Sequence, residues 1–438
     1  MTYPRGRPPE DNERVAAGVP IIDLDVAGPG PADDARPGPT RSGFSRPVLA
    51  VVMVLLVLAA VGPAGPPAPG LRMVLAANGT TAAAFKLGAG ALYTASYGPS
   101  NPTSESAVRR FELAGGAQRW ARALPHAVQN LQINDGARVL MARSGTDPRV
   151  SFLDADTGRV LWGLAAANTS VVTLTDGGAL ITTDRPEATG LRLAEPRTGR
   201  TVWSRTLAGR VSFGPDDLWT GRPSRVVAIG LAGTVTTLDF ATGAVLSAGV
   251  IGGPLRAESG RVHTVGDNRL VVFRSDARPA LTAYSLVPFA RLWGAAESGE
   301  AVFDCGPVWC LMRPDISAVV AIDPATGTRR WRAGEIAYAG RLDDRFLAGY
   351  DHGERPRMSL LDPATGRTLR PIGPVFQVGR LLLQPAEPDQ AWVSELDPDG
   401  RPHTLGWVDT AAPFGCEVDG RYLACPTTDG PTKVWRLP

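Results

Sequence analysis

Lysine is almost absent from this sequence, and dense runs of positive charge are missing. Of the 45 lysine and arginine residues in the 438-residue chain, only Lys86 and Lys433 are lysine, and the formal net charge is +2. A nucleic-acid-binding surface needs a concentrated cluster of cations to neutralise phosphates. The charge pattern therefore predicts no nucleic-acid partner.

The sequence also lacks the residue spacings that carry out catalysis or hold a metal. Its four histidines lie far apart, at His126, His263, His352 and His403, without metal-ligand spacing. There is no Cys-x-x-Cys redox motif and no phosphate-binding glycine loop. A ring-shaped fold can still gather distant residues at its centre. With that reservation, the absences predict no catalytic residue, no metal site and no cofactor.

A recurring turn is the main feature that the sequence does contain. Its pattern is an apolar residue, an acidic residue, two variable residues, Thr and Gly, as in Ile322 to Gly327 and Leu361 to Gly366. Asp and Thr hydrogen-bond the backbone of a tight loop, and glycine tolerates positive φ. The turn position recurs eight times, at Gly116, Gly158, Gly199, Gly243, Phe289, Gly327, Gly366 and Gly400.

A large aromatic residue follows most of these turns at a constant distance of four positions. Ser247, Arg370 and Thr404 replace it in three copies, and the five tryptophans are Trp120, Trp162, Trp203, Trp293 and Trp331. The even offset puts turn residue and tryptophan on one face of the outgoing strand. One hairpin cannot bury such a ring, so units of about forty residues must stack, as propeller blades do. We therefore assign these tryptophans to inter-blade packing and not to a ligand site.

The predicted fold is all-β: an eight-bladed β-propeller of four-stranded antiparallel blades, with seven blades as the second choice. Eight turns plus a partial unit after Asp419 give nine by strict count. Because propellers usually have four to eight blades, we predict eight and regard the unit around Phe289 as irregular. A strand from the region before Ala91 is expected to complete the last blade, which closes the ring and removes an exposed sheet edge.

The motif of a tight turn followed four residues later by a tryptophan resembles the quinoprotein-like (PQQ-like) β-propeller repeat, and the resemblance covers roughly residues 85–438. The resemblance implies either a pyrroloquinoline quinone dehydrogenase or a non-enzymatic relative of the outer-membrane assembly lipoprotein BamB. The dehydrogenases typically carry adjacent cysteines beside the quinone, and this chain has no Cys-Cys dipeptide. The resemblance therefore favours the non-enzymatic, BamB-like branch.

The four cysteines form two local pairs. Cys305 and Cys310 flank Gly306 to Trp309, and Cys416 and Cys425 flank a second turn. We predict the disulfides Cys305–Cys310 and Cys416–Cys425, one of three possible connectivities. Disulfides indicate an oxidising compartment. The alternative is four buried free thiols.

The N-terminal region differs in composition from the repeats. Residues 1–46 are predicted to be a disordered cytoplasmic tail. Residues 47–64 are uncharged and predict a transmembrane signal anchor, with a cleaved signal peptide as the alternative. Residues 65–80 form a Pro/Gly linker, and residues 81–438 form the propeller. Arg41 and Arg46 precede the apolar segment, which places the propeller outside the cell.

These features together predict a membrane-anchored, extracytoplasmic propeller that is not an enzyme. It would be a protein-binding scaffold in the bacterial cell envelope, and its partner would be an envelope protein or an exposed peptide. One alternative is a ligand-sensing outer domain that signals through the cytoplasmic tail. The other is a diverged quinone-dependent dehydrogenase.

Overall fold

The computed structural model describes most of the repeat region. The described residues are 70–77, 82–97, 105–145, 149–165, 169–185, 187–209, 211–213, 223–253, 260–264, 268–274, 280–297, 299–313, 318–343, 345–351, 357–386, 389–410, 412–428 and 430–438. The chain divides into two units, residues 1–65 and 66–438, and every described residue belongs to the second. The predicted tail, the predicted anchor and residues 65–69 and 78–80 of the predicted linker lie outside the described residues. No helical segment within the described ranges has the length and apolar character that a bilayer crossing requires.

The first half of the repeat region contains one leading strand and four complete antiparallel sheets, with their strands in chain order. The strands are β1 (Arg72–Ala77); β2 (Ala82–Gly88), β3 (Ala91–Tyr97), β4 (Ser106–Glu112) and β5 (Gln118–Leu124) of blade 1; β6 (Asn130–Asn134), β7 (Val139–Arg143), β8 (Arg149–Asp154) and β9 (Val160–Ala165) of blade 2; β10 (Thr169–Thr175), β11 (Gly178–Arg185), β12 (Ala188–Ala194) and β13 (Thr201–Ala208) of blade 3; β14 (Val211–Phe213), β15 (Arg225–Gly230), β16 (Thr234–Asp239) and β17 (Val245–Val250) of blade 4.

The second half contains four more complete sheets and three strands of a fifth. The strands are β18 (Gly260–Thr264), β19 (Arg269–Arg274), β20 (Ala280–Ser285) and β21 (Ala290–Ala295) of blade 5; β22 (Ala301–Asp304), β23 (Trp309–Arg313), β24 (Ala318–Ile322) and β25 (Arg329–Gly334) of blade 6; β26 (Tyr338–Arg341), β27 (Leu347–Tyr350), β28 (Arg357–Leu361) and β29 (Thr368–Pro374) of blade 7; β30 (Phe376–Val378), β31 (Leu381–Pro385), β32 (Gln390–Leu396) and β33 (Pro402–Asp409) of blade 8; β34 (Glu417–Asp419), β35 (Tyr422–Pro426) and β36 (Thr432–Arg436) of blade 9, preceded by a 3-10 turn (Pro413–Gly415).

The leading strand completes the last blade. β1 pairs antiparallel with β36, from Arg72 opposite Arg436 to Ala77 opposite Thr432, so the sheet order is β1-β36-β35-β34. Blade 9 also contacts blade 1 through Glu417, whose carboxylate accepts hydrogen bonds from Lys86 Nζ at 3.3 Å and from the backbone N–H of Leu87 at 3.1 Å. The two ends of the repeat region are therefore joined, as a closed propeller requires.

The structure has nine blades, so the prediction of eight was wrong. Each copy of the recurring turn connects the third and fourth strands of one blade, so its eight copies mark blades 1 to 8. Blade 9 has no such turn, because its fourth strand comes from the other end of the repeat region. The unit around Phe289 is a complete four-stranded blade, β18 to β21. Propellers typically have four to eight blades, and this ring lies one blade above that range.

The core of the protein lies between neighbouring blades. The second and third strands have buried residues on both faces, as in β7 and β24, whereas outer strands such as β5 are largely exposed. One cluster joins Tyr93 and Val108 of blade 1 to Leu131, Leu140 and Leu153 of blade 2. No single blade encloses its own core, and the stability of each blade therefore depends on its neighbours.

The repeat tryptophans lie at these contacts. Each donates its indole N–H to a carbonyl in the turn of the next blade: Trp120 to Ala155 at 3.1 Å, Trp162 to Pro196 at 2.8 Å, Trp203 to Phe240 at 2.8 Å, Trp293 to Pro324 at 3.0 Å and Trp331 to Pro363 at 3.1 Å. The ring covers the glycine of that same turn. At Gly243, with φ of 68°, a Cβ would meet the Trp203 ring at 2.6 Å. This glycine is thus required both by its backbone conformation and by the adjacent ring.

The contact between blades 4 and 5 reverses this arrangement of large and small residues. Ser247 replaces the tryptophan, and its hydroxyl donates to the carbonyl of Leu286. Phe289 replaces the turn glycine, and its ring stacks on Tyr284 with centroids 5.3 Å apart. A Cβ on Gly249 would overlap the Phe289 ring. The aromatic ring that fills the gap here comes from the turn instead of the strand, which accounts for the atypical sequence of this unit.

Both predicted disulfides are present, and the alternative of four free thiols was wrong. Cys305 and Cys310 join the first two strands of blade 6, with Cα atoms 5.9 Å apart. Cys416 and Cys425 join the first two strands of blade 9, with Cα atoms 4.2 Å apart. The second bond therefore braces the blade that closes the ring. No free cysteine remains, since the sequence has only these four.

Candidate protein-binding face

The acidic residues of the repeat turns accept hydrogen bonds from the turn backbone and from neighbouring side chains. Asp154 Oδ1 accepts hydrogen bonds from the backbone N–H and the hydroxyl of Thr157, both at 2.9 Å, and its Oδ2 accepts one from Arg197 at 2.5 Å. Burial alone would raise the pKa of Asp154, but the bonds from Arg197 and Thr157 lower it to about 2. The hydrogen bond from Arg330 and those from its own turn lower the pKa of Asp323 to about 2. Both carboxylates are therefore ionised, and their oxygens already accept hydrogen bonds within the fold.

Three other carboxylates lie at the end of the propeller that carries these turns. Burial raises the pKa of Asp135, and the charges of Asp419 and Asp176 raise it further. Each residue follows or ends the innermost strand of its blade, which explains why residues so distant in sequence affect one another. Among the described residues, no group of three His, Cys, Asp or Glu side chains is arranged to hold a metal ion.

The histidines that the sequence analysis considered are spread over the propeller. His126 is buried in the connection between blades 1 and 2, and His403 is exposed on β33 of blade 8. His263 lies in β18, and His352 lies outside the described residues. The structure does not bring His126 and His403 together at one site.

We call the end of the blades opposite the repeat turns the crossover face, because the chain passes from one blade to the next there. In the described part of the chain, the exposed large aromatic side chains are Tyr338 at 36%, Trp392 at 46%, Trp407 at 51% and Phe414 at 75%. All four belong to blades 7 and 8 or to the connection into blade 9, near strand ends at this face. Trp392 and Trp407 are directly opposite each other on paired strands. One sector of one face therefore concentrates the exposed aromatic surface.

A cleft of about 530 Å³ opens in this sector. Its lining includes two aromatic pairs: Tyr338 and Tyr350 of blade 7, with ring centroids 6.0 Å apart, and Phe376 and Phe414, with centroids 5.9 Å apart. Phe303 of blade 6 supports Tyr338 edge-on at 5.0 Å. The remaining lining residues are Ala337, Asp351, Val375, Gln377 and Gly379. We call this the aromatic cleft.

Among the described residues that line the aromatic cleft, Asp351 is the charged one. Its Oδ1 accepts the backbone N–H of Arg357 at 2.9 Å. Burial, and to a lesser degree the neighbouring Tyr338, raises the pKa of Tyr350 to about 12, and burial raises the pKa of Tyr338. Both phenols are therefore neutral near pH 7. A smaller cleft of about 340 Å³ also includes Asp351 and is lined by Glu335 and Arg357.

Sequence reasoning missed this site. Phe376 and Phe414 stand at the start of, or just before, an innermost strand, and neither occupies the tryptophan position of the repeat. Aromatic residues outside the repeat register were the available signal. Their grouping depends on contacts between three successive blades, which the repeat pattern does not specify.

Nine four-stranded antiparallel sheets, closed by pairing of the first strand with the last, define a β-propeller. Residues 104–332 match the family model described as outer membrane protein assembly factor BamB. The match spans just over half of the chain, and the protein belongs to this family of PQQ-like propellers.

Solved structures similar to this chain include BamB from Moraxella catarrhalis, with 16% identity, coverage of 84% of this chain and 99% of that one, and a TM-score of 0.45. A eukaryotic initiation factor is 13% identical, with 76% and 93% coverage and a TM-score of 0.52. The dihydro-heme d1 dehydrogenase NirN is 12% identical, with 67% and 66% coverage and a TM-score of 0.43. Sequence identities this low indicate a shared fold and nothing further. No curated protein matches the chain.

Proposed function

We propose that this protein is a non-enzymatic scaffold that binds another protein or an exposed peptide through the crossover face of blades 7 to 9. The observation that carries the proposal is the exposed aromatic surface around the aromatic cleft. Phe414 is 75% exposed, and Trp392 and Trp407 are each about half exposed. Protein interfaces are enriched in Tyr, Trp and Phe, and exposed apolar patches mark interaction sites. Membership of the BamB family supports the same coarse function.

The proposal places the propeller outside the cell membrane of a bacterium, with an envelope protein as partner. Two features support that location. Both disulfides fit an oxidising compartment. The uncharged residues 47–64, preceded by Arg41 and Arg46, fit a signal anchor whose N-terminal side stays in the cytoplasm.

Site-specific photocrosslinking in living cells tests the proposed interface. A photoreactive residue in place of Phe414 is expected to yield a discrete crosslinked product, because the partner covers that side chain. The control places the same residue at Leu231, which is 54% exposed on the crossover face of blade 4. Equal yields at both positions, or no product at Phe414, would contradict the proposed interface.

The absence of enzymatic activity is a separate prediction. The purified full-length protein, incubated with pyrroloquinoline quinone and Ca²⁺, is expected to bind no quinone and to reduce no electron-accepting dye with alcohols or sugars. A quinone dehydrogenase treated in parallel controls for the cofactor and the dye. Stoichiometric quinone binding with substrate-dependent dye reduction would instead favour the dehydrogenase alternative.

A further inference from the structure

We infer that the disulfide between Cys416 and Cys425 positions the Phe414 ring at the aromatic cleft, and that binding of the proposed partner depends on this bond. The inference rests on the proposed function and concerns how its site is held in shape. Phe414 lies in the 3-10 turn Pro413–Gly415, which ends directly before Cys416. Its ring is 75% exposed and contacts Phe376, with centroids 5.9 Å apart. Because little of its area is buried, packing contributes little to fixing this ring, and the backbone of the turn must do so.

The turn that carries Phe414 is closed by its own hydrogen bonds. The backbone N–H of Gly415 donates to the Ala412 carbonyl at 2.9 Å, and that of Cys416 donates to the Pro413 carbonyl at 3.2 Å. Each bond joins residues three positions apart, so the two bonds fix the shape of the turn but not its place on the blade. A covalent attachment to blade 9 comes through the next residue along the chain, Cys416.

The disulfide continues the pairing of the first two strands of blade 9. The innermost strand, β34, has three residues and pairs with β35 in a register that sets Glu417 opposite Ala424. Cys416 and Cys425 are the next pair in this register, and their Cα atoms are 4.2 Å apart. A strand of three residues is short, and strand ends open more readily than the middle. The bond therefore keeps closed the end of β34 that adjoins the turn.

The disulfide is itself fixed by its surroundings. Cys416 and Cys425 are both buried, and they belong to the apolar cluster that joins blades 8 and 9. Cys416 Sγ also lies 3.6 Å from the hydroxyl oxygen of Thr410, which accepts the backbone N–H of Ala412 at 3.2 Å. The bond thus connects the turn that carries Phe414 to a packed part of the core.

The other disulfide offers a matched comparison. Cys305 and Cys310 are also buried and also join the first two strands of a blade, and the sequence separations of the two bonds are 5 and 9. Loss of either bond removes a similar constraint on the unfolded chain. The bond in blade 6 lies at the repeat-turn end, however, and the bond in blade 9 lies at the crossover end beside Phe414. We call Cys416→Ala/Cys425→Ala the blade-9 variant and Cys305→Ala/Cys310→Ala the blade-6 variant.

Fluorine NMR of the purified full-length protein, with 4-fluorophenylalanine at position 414, tests the positioning. The Phe376 ring lies beside this label in the wild type, so the resonance is expected to differ from that of Phe376→Leu. The blade-9 variant is expected to move the resonance most of the way to the Phe376→Leu value, and the blade-6 variant is expected to leave it unchanged. An unchanged resonance in the blade-9 variant, or equal changes in the two variants, would overturn the inference.

Photocrosslinking in living cells tests the dependence of partner binding on the bond. The photoreactive residue replaces Trp407 on the crossover face, so that Phe414 is kept. Normalised to the amount of protein, the yield is expected to fall about tenfold in the blade-9 variant and to stay at the wild-type level in the blade-6 variant.

A double-mutant cycle distinguishes positioning of the ring from a general effect on stability. Phe414→Ala is expected to lower the crosslinking yield at Trp407 as much as the blade-9 variant does. Combining the two changes is expected to cause no further loss, because both act through the same ring. Additive losses would overturn the inference, since a bond that only stabilises the fold acts independently of the ring.

Cys416→Ala/Cys425→Val repeats both measurements if the blade-9 variant does not fold. Valine suits a strand and fills more of the buried space at position 425, while the covalent bond is still absent. The same change of resonance and the same roughly tenfold loss of crosslinking are expected. Thermal unfolding checks that this variant is folded, and wild-type crosslinking by the folded variant would overturn the inference.

The two measurements separate the inference from the proposed function. Crosslinking at Trp407 that persists at the wild-type level in the blade-9 variant would overturn the inference and leave the protein-binding role in place. Absence of any crosslinked product at both Trp407 and Phe414 in the wild type would overturn the proposed function, and the inference with it.

Discussion

A chain that begins at residue 82 is expected not to form a stable propeller, whereas one that begins at residue 70 is expected to fold like the full-length protein. The difference is β1, the fourth strand of blade 9. β1 pairs with β36 over its length and buries Leu75 and Ala77. Each lost backbone hydrogen bond costs roughly 1 kcal/mol and each buried aliphatic side chain about 1.5–3 kcal/mol. The loss thus approaches the 5–15 kcal/mol that is typical of a whole domain.

Removal of β1 is also expected to promote association between chains. The strand Thr432–Arg436 becomes an unpaired edge, and such edges promote association between chains. Thermal unfolding and size-exclusion chromatography should show a large loss of cooperativity and new oligomers for the chain starting at residue 82. A synthetic peptide of residues 70–77 is expected to restore part of the loss by adding the strand back. Identical melting of the two truncated chains would show that β1 does not hold the ring closed.

The second large effect is expected at Trp203, where Trp203→Ala should destabilise the protein by about 3–5 kcal/mol. The ring is 8% exposed, its N–H donates to the Phe240 carbonyl at 2.8 Å, and it covers Gly243. The substitution leaves a cavity between blades 3 and 4. The control is Trp407→Ala, because Trp407 is 51% exposed, and its loss should change stability by no more than about 0.5 kcal/mol.

A double-mutant cycle tests whether the ring and the turn act as one unit. Gly243→Ala in the wild type places a Cβ 2.6 Å from the Trp203 ring and also strains a φ of 68°. In the Trp203→Ala background only the backbone strain remains. The second substitution should therefore cost less there, and denaturant unfolding measures both costs. Additive costs would mean that the clash contributes nothing.

The sequence predicted the blade unit well because its determinants are local. The Asp and Thr hydrogen bonds of the turn at Asp154 and the positive φ of Gly158 are properties of six consecutive residues. The four-residue offset to Trp162 follows from the two-residue period of a strand. The all-β class and both disulfides followed from such short spacings and were confirmed, as was the resemblance of the repeat to the PQQ-like family.

The number of blades was predicted wrongly, although the eight turns and the partial unit after Asp419 together count nine. It depends on how the first strand meets the last, a pairing between residues more than 350 positions apart. The exchange at Ser247 and Phe289 likewise appeared as an irregularity, since its two halves lie on different blades. Ser247 and Phe289 can be recognised as a matched pair only when blades 4 and 5 are stacked.

By itself the sequence determined the repeating hairpins, because turn chemistry and side-chain alternation act over a few residues. Only the tertiary structure decided that nine blades form and that Tyr338, Phe376 and Phe414 line one cleft beside Asp351. These residues come from separate blades and connections, and the stacking of the blades around a common axis is what brings them together.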